Sequence, residues 1–165
     1  MAITLHILIL GDPAVGKTAF LLRHITGHYY SEYHPTGDLP EYRRLELLTS
    51  VGKVEFIFTC INSLDKPLPA AHAAFIMTNT ALPTCISSGK AWAAKLKKES
   101  SMPYTVVATH CDLLMSTSVV KKLAVAFKGL PTYMISSKSN YNYDKPLLSA
   151  IHHFYPGTEF ISCSA

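Results

Sequence analysis

Residues 3–20 read ITLHILILGDPAVGKTAF, a mostly apolar run that passes straight into two spaced glycines, a lysine and a threonine. No other feature of the chain constrains its fold as tightly. Gly11 to Thr18 fits G-x-x-x-x-G-K-[ST], a pattern that carries weight when a strand precedes it and a helix follows. Both conditions are expected here. Gly11 and Gly16 are expected to let the backbone curl until successive N–H groups point inward at phosphate oxygens. A helix beginning near Lys17 adds the positive end of its dipole. The Lys17 ammonium would reach the outer phosphates, and the Thr18 hydroxyl suits Mg²⁺. Pro13 and Ala14 fill the variable middle of the loop, where the proline removes one N–H and stiffens the backbone.

Further apolar, β-rich runs recur at VEFIFTCI, AAFIMTNT, YTVVATHC and PTYMISS. Helix-length segments lie at Lys17–Ile25, Ser88–Glu99, Ser118–Phe127 and Pro146–Phe154. Continuous apolar strands alternating with helices predict an α/β fold, a doubly wound and mostly parallel sheet covered on both faces. YRRLELLTS and GKVEFIFTC, separated by a short turn around Ser50–Gly52, form the exception and predict an antiparallel hairpin at one sheet edge. Repeats, low-complexity tracts and linkers are lacking, so residues 1–165 are expected to form a single domain.

Composition excludes several classes. Hydrophobic residues make up 48% and charged ones 16%, which indicates a packed globular chain. The net charge is +4 with no block of like charges, so nucleic acid is not an expected partner. The opening apolar run is too short to span a membrane. Cys163 stands third from the end, whereas a prenylation box needs a cysteine fourth from the end, so no membrane anchor is expected. Cys60, Cys85, Cys111 and Cys163 lack any C-x-x-C pairing and read as reduced thiols, Cys60 and Cys111 as buried ones at strand ends.

Two further strings, FLLRHITGHYYSEYHPT and SSKSNYNYDKP, resemble the Ran family of small GTPases. That family carries F-x-x-R-H-x-T-G ahead of its first switch and S-A-K-S-N-Y-N-[FY]-[ED]-K-P over its last guanine loop. The resemblance implies a six-stranded sheet with five helices, bound GTP or GDP with Mg²⁺, and two switch segments. It also implies protein effectors or transport receptors as partners, a monomer outside complexes, and residence in nucleus and cytoplasm. The nucleotide-binding set it implies comprises Gly11, Asp12, Pro13, Ala14, Val15, Gly16, Lys17, Thr18 and Ala19, with Thr18 and Thr36 on the metal. Tyr29 would lean on the base edge. Asp112 would accept two hydrogen bonds from guanine that adenine cannot donate. Ser136, Ser137 and Lys138 match S-A-K beside the base.

The departures from the family's pattern are equally specific. In THCD, Thr109 replaces the asparagine that ties this loop to the phosphate loop, and His110 replaces the lysine that covers one base face. Nucleotide affinity is expected to fall as a result. Where the family reads D-T-A-G-Q, this chain reads CINSL. Cys60 then stands for the aspartate that orders the Mg²⁺ shell, Ser63 for the glycine facing the γ-phosphate, and Leu64 for the glutamine that orients water. Asp65 comes five residues too late to serve as the strand-end aspartate, and no catalytic residue is assigned. The expected function is guanine-nucleotide binding with weak or absent intrinsic hydrolysis and output through partners. Two alternatives are a working switch whose hydrolysis a partner supplies, and a scaffold whose phosphate loop is a relic. A P-loop kinase fits worse, because Arg23, Arg43 and Arg44 are the only arginines and none sits in a lid-sized segment.

Other eye-catching groups have plainer readings. His152 and His153 are adjacent on a helix and diverge by about 100°, so both are expected at the surface. Arg43 and Arg44 read as a charged sheet edge. Trp92 with Ala91, Ala93 and Leu96 reads as a helix face packed on the sheet. The lysines of SGKAWAAKLKK read as its solvated side.

Overall fold

The computed structural model describes residues 3–13, 15–26, 42–110, 117–136 and 142–161. Six strands, β1 (Ile3–Leu10), β2 (Tyr42–Thr49), β3 (Gly52–Ile61), β4 (Ala73–Asn79), β5 (Tyr104–Thr109) and β6 (Thr132–Met134), form one sheet in the order β2-β3-β1-β4-β5-β6. Among these strands only β2 with β3 is antiparallel, through the register Thr49↔Gly52, so the edge hairpin stands where the sequence puts it. The described helices are α1 (Lys17–Thr26), α2 (Cys85–Glu99), α3 (Thr117–Ala126) and α4 (Lys145–Phe154), each within three residues of its expected start.

Period-two alternation explains why the central strands are apolar on both faces. Ile7 and Ile9 of β1, with Phe75 and Met77 of β4, pack in the same core as Phe20 of α1 and Leu147 and Ile151 of α4. Their neighbours Leu8, Leu10, Ala74 and Ile76 pack against Trp92, Ala93 and Leu96 of α2. Val106 and Ala108 of β5 meet Leu123 and Phe127 in a third cluster. Ala91, expected on the packed side of α2, is exposed instead. Gly89 explains how closely α2 seats: a Cβ there would come within 2.8 Å of the Phe127 ring and 2.9 Å of Thr78 Cγ2.

The family resemblance implies five helices, and the described residues contain four. Residues 62–72, which cross from β3 over β1 to β4, form turns and extended chain but no helix. This length is about the minimum that a parallel crossover needs. Pro67 and Pro69 supply the reason. Each lacks the N–H of a helical hydrogen bond, and each pushes its predecessor, Lys66 or Leu68, away from helical angles. Leu68 and Ala71 cover part of the sheet against the α2 cluster. Paired bonds hold the far end, His6 N–H donating to His72 Nδ1 at 2.9 Å and His72 N–H to His6 O at 2.9 Å.

The two strings that carry the family resemblance meet in space. His24, from FLLRH, stacks on Tyr143, from SNYNYDKP, with ring centroids 4.0 Å apart and an interplanar angle of 23°. Phe20 packs on both rings, and the Tyr143 hydroxyl donates to Phe20 O. His24 Nε2 lies 3.1 Å from Tyr143 O, so its Nε2–H tautomer donates there. Burial lowers the His24 pKa from 6.5 to about 4, against the opposing pull of that hydrogen bond.

Candidate nucleotide site

The loop from Gly11 to Gly16 lies between the end of β1 and the start of α1, as the sequence predicts. Its two glycines serve different purposes. Gly16 has φ +102°, a left-handed conformation that side chains strain against. Gly11 is required by crowding instead: a Cβ would stand 2.8 Å from Met77 O and from Val15 Cγ2. Only Gly16 thus uses the backbone freedom expected of both. Val15 is buried and anchors the loop in the main core, while Pro13 is exposed at the turn.

Lys17 is the first residue of α1 and is 3% exposed. Its ammonium donates to Gly11 O at 2.8 Å and to Asp12 O at 2.7 Å. Of its three N–H donors one remains for an anion in the loop. Burial lowers its pKa from 10.5 to about 8, a shift partly offset by Cys60 and by the Asp12 carboxylate. Cys60 is buried, as expected, and it interacts electrostatically with this lysine. Thr18 and Ala19 follow on the first turn of α1.

Thr109 ends β5 directly behind the loop. Its hydroxyl oxygen lies 2.6 Å from Val15 O and 3.0 Å from Thr78 O, with a single proton to share between them, and 2.8 Å from His110 Nδ1. Threonine in place of asparagine predicts a weakened tie between the two loops. The tie to Val15 is made all the same, because the short hydroxyl needs only the close approach that a 3% exposed Thr109 has. His110 adopts φ +62°, and its Cε1 would lie 3.3 Å from a Cβ on Gly16, so the ring flanks the loop. Ser136 is fully buried just past β6. Ala14, Tyr29, Thr36, Cys111, Asp112, Ser137 and Lys138 fall outside the described residues.

What holds Asp12 does not show in the sequence. Ser88 Oγ donates to Asp12 Oδ2 at 2.6 Å and Trp92 Nε1 donates to Asp12 Oδ1 at 3.0 Å, both from α2. Trp92, which reads as core alone in the sequence, therefore also reaches the phosphate loop. An (i, i+4) Ser–Trp pair on one helix face was the available signal.

Beside the loop, β3 ends at Ile61, whose carbonyl accepts from Gly11 N–H at 3.3 Å. Beyond it the Ser63 hydroxyl accepts from Asp65 N–H at 3.3 Å, and Leu64 is 41% exposed. Asp65 is exposed and stands in this turn, away from the strand end. A cavity of about 390 Å³ lies at the opposite ends of the strands, lined by Met102, Pro103, Tyr104, Leu130, Pro131 and His152. It contains none of the loop's anion-binding features.

The Ras family model matches residues 6–56, from within β1 through the loop and α1 into β3. Over this stretch, 51 of the 165 residues, the chain is similar to Ras-family small GTPases. The sheet order and single antiparallel pair agree with the Ras-like P-loop fold. Ras-family GTPases bind guanine nucleotide, generally with Mg²⁺. The phosphate part of such a ligand fits the loop described here, where Gly11 leaves no room for a side chain, Gly16 takes a left-handed φ and Lys17 retains a donor. For Mg²⁺ the described residues include the Thr18 hydroxyl, a hard oxygen donor, whereas a cysteine thiol such as that of Cys60 is a soft ligand that a hard cation does not favour. Among the described residues no three His, Cys, Asp or Glu side chains gather as a metal site. No described helix is long and apolar enough to cross a membrane.

Proposed function

We propose that the chain is a Ran-like guanine-nucleotide-binding protein that acts through protein partners and hydrolyses GTP weakly or not at all. The observation that carries the binding half is the loop itself. Lys17 is buried at its base, Gly16 takes a conformation suited to inward-pointing amides, and Thr109 braces its far side. Asp112, Ser136, Ser137 and Lys138 would read the base, Tyr29 would lean on its edge, and Thr18 and Thr36 would hold Mg²⁺.

The hydrolytic half rests on the end of β3 and the crossover beyond it. In-line attack needs a positioned water and donors aimed at the developing charge. Leu64 has no group to orient water, Cys60 has no carboxylate for the Mg²⁺ shell, and Pro67 and Pro69 keep the segment from forming a helix. The FLLRH and SNYNYDKP strings, which pack on each other through His24 and Tyr143, support the Ran-like assignment. On that assignment rest the proposals of a single domain, transport receptors as partners, and residence in nucleus and cytoplasm.

The test is to denature freshly purified protein, identify the nucleotide it releases, and compete GTP, ATP and XTP on the emptied protein. GDP or GTP should be released, and Asp112→Asn should move the preference from guanine toward xanthine. Equal affinity of the parent for ATP and GTP would remove the guanine assignment. No binding of any nucleotide would favour the scaffold reading.

A further inference from the structure

A carboxylate at the second position of a loop built to receive anions is an electrostatic liability unless its charge is committed elsewhere. Asp12 is such a residue, and both of its oxygens are committed to α2. Oδ2 accepts from Ser88 and Oδ1 from Trp92, while the Asp12 carbonyl accepts from the Lys17 ammonium. One residue therefore joins the loop's cation to a helix lying on the other side of the sheet from α1.

That helix is poorly placed to yield. Trp92 is fully buried among Leu8, Leu10, Ile61 and Ile76. Gly89, next to Ser88, sits against Phe127 and Thr78 with no room for a methyl group. Farther along α2, Glu99 accepts from Leu68 N–H at 3.2 Å, so the same helix also holds the helix-free crossover.

We propose that Ser88 and Trp92 are positioning residues that act through Asp12: they set the shape of the phosphate loop and turn its one negative charge away from the bound phosphates. The second part rests on the proposed nucleotide binding, and the first does not. Hydrogen bonds to a charged group contribute enough that losing one changes an equilibrium by about tenfold or more. The helix supplies two.

The experiment has two arms. In the nucleotide-free protein, hydrogen exchange of the amides at 15–18 should speed up about tenfold in Ser88→Ala, while exchange in β1 and β4 stays at the parent's rate. Ser88→Thr, which keeps the hydroxyl, should restore the slow exchange. Unchanged loop exchange, or an equal rise throughout the sheet, would overturn the positioning role. The second arm measures release of a fluorescent GDP analogue in the presence of Mg²⁺. Release should be about tenfold faster from Ser88→Ala and from Trp92→Phe, which keeps the aromatic bulk and loses the N–H. Adding Asp12→Asn to Ser88→Ala should slow release again, because the misdirected charge is gone. A double variant no better than Ser88→Ala would overturn the electrostatic part. A parent that fails to bind the analogue would overturn the nucleotide reading and, with it, that electrostatic part, whereas the exchange arm still decides the positioning role.

Discussion

The phosphate loop and the β3–β4 crossover begin side by side, joined by the Gly11 to Ile61 hydrogen bond, yet they are built on opposite terms. In the loop almost every residue is fixed by what surrounds it. Gly11 is wedged against Met77 O, Val15 is in the core, Lys17 is buried on two carbonyls, and Thr109 braces the back. In the crossover, residues 64–67 are exposed, and only Leu68 and Ala71 touch the sheet's packed face. On the proposed function, the apparatus for holding a ligand would be part of the hydrophobic core, whereas the apparatus for acting on it would be a surface segment. A surface segment can lose its helix and its polar groups without unfolding the protein. The loop has no such freedom.

The largest effect is expected at the loop. Lys17→Ala should weaken guanine-nucleotide binding by about 2–5 kcal/mol, the cost typical of removing one partner from buried charge-assisted contacts. Calorimetric titration measures it, and parent-like affinity would end the contrast between the two regions.

The packing behind α1 gives the next effect. Unfolded His24 titrates near 6.5 and the folded residue near 4. Between these values the unfolded chain holds the extra proton, so the stability that neutral His24 provides is complete above about pH 6.5. It is lost as pH falls toward 4, in total on the order of 3 kcal/mol. Urea unfolding from pH 7 to 4 should therefore show a steeper decline in the parent than in His24→Gln. Parallel declines would mean that the stacked ring is charged or solvated.

The crossover should respond in rate before it responds in stability. Cys60→Asp, Ser63→Gly and Leu64→Gln together should raise single-turnover GTP hydrolysis, by less than the roughly 10²-fold that one preorganised donor supplies, because Pro67 and Pro69 remain. A parent rate equal to that of ordinary small GTPases would show that the segment acts without those groups.

Leu68→Ala should produce the smallest change. A half-buried leucine should cost about 1–2 kcal/mol of stability, read by thermal unfolding, and leave nucleotide affinity unchanged. A marked loss of affinity would show that the crossover shapes the loop after all.

Much of the architecture was legible because local and long-range signals agree. Continuous apolar runs such as AAFIMTN mark strands buried on both faces, and β4 is buried at every position. The loop was legible because glycine and lysine have few substitutes in that chemistry. The expectation of five helices came from the resemblance, whereas Pro67 and Pro69 in the sequence account for residues 62–72 forming no helix. The contact of Thr109 with Val15 was not legible, because one hydroxyl reaches Val15 O only when the strands set the distance. Nor was the hold on Asp12, since Ser88 and Trp92 are far from it along the chain and read locally as a helix face.

The outer edge of the sheet is closed at one end by a contact of long sequence separation. The segment before Ile161 runs antiparallel to β2. Thr49 bridges Phe160, Ser50 N–H donates to Glu159 O at 2.8 Å, and Glu159 N–H donates to Ser50 Oγ across a separation of 109 residues. Closing so long a loop carries an entropy cost that must be met before the contact stabilises anything. The outer side of β2 at its turn can therefore gain this partner only once residues 159–161 have been made. Until then the hairpin presents unpaired backbone groups to its surroundings, with Arg44 and the Lys53–Glu46 ion pair supplying the charge that discourages a second chain from docking there.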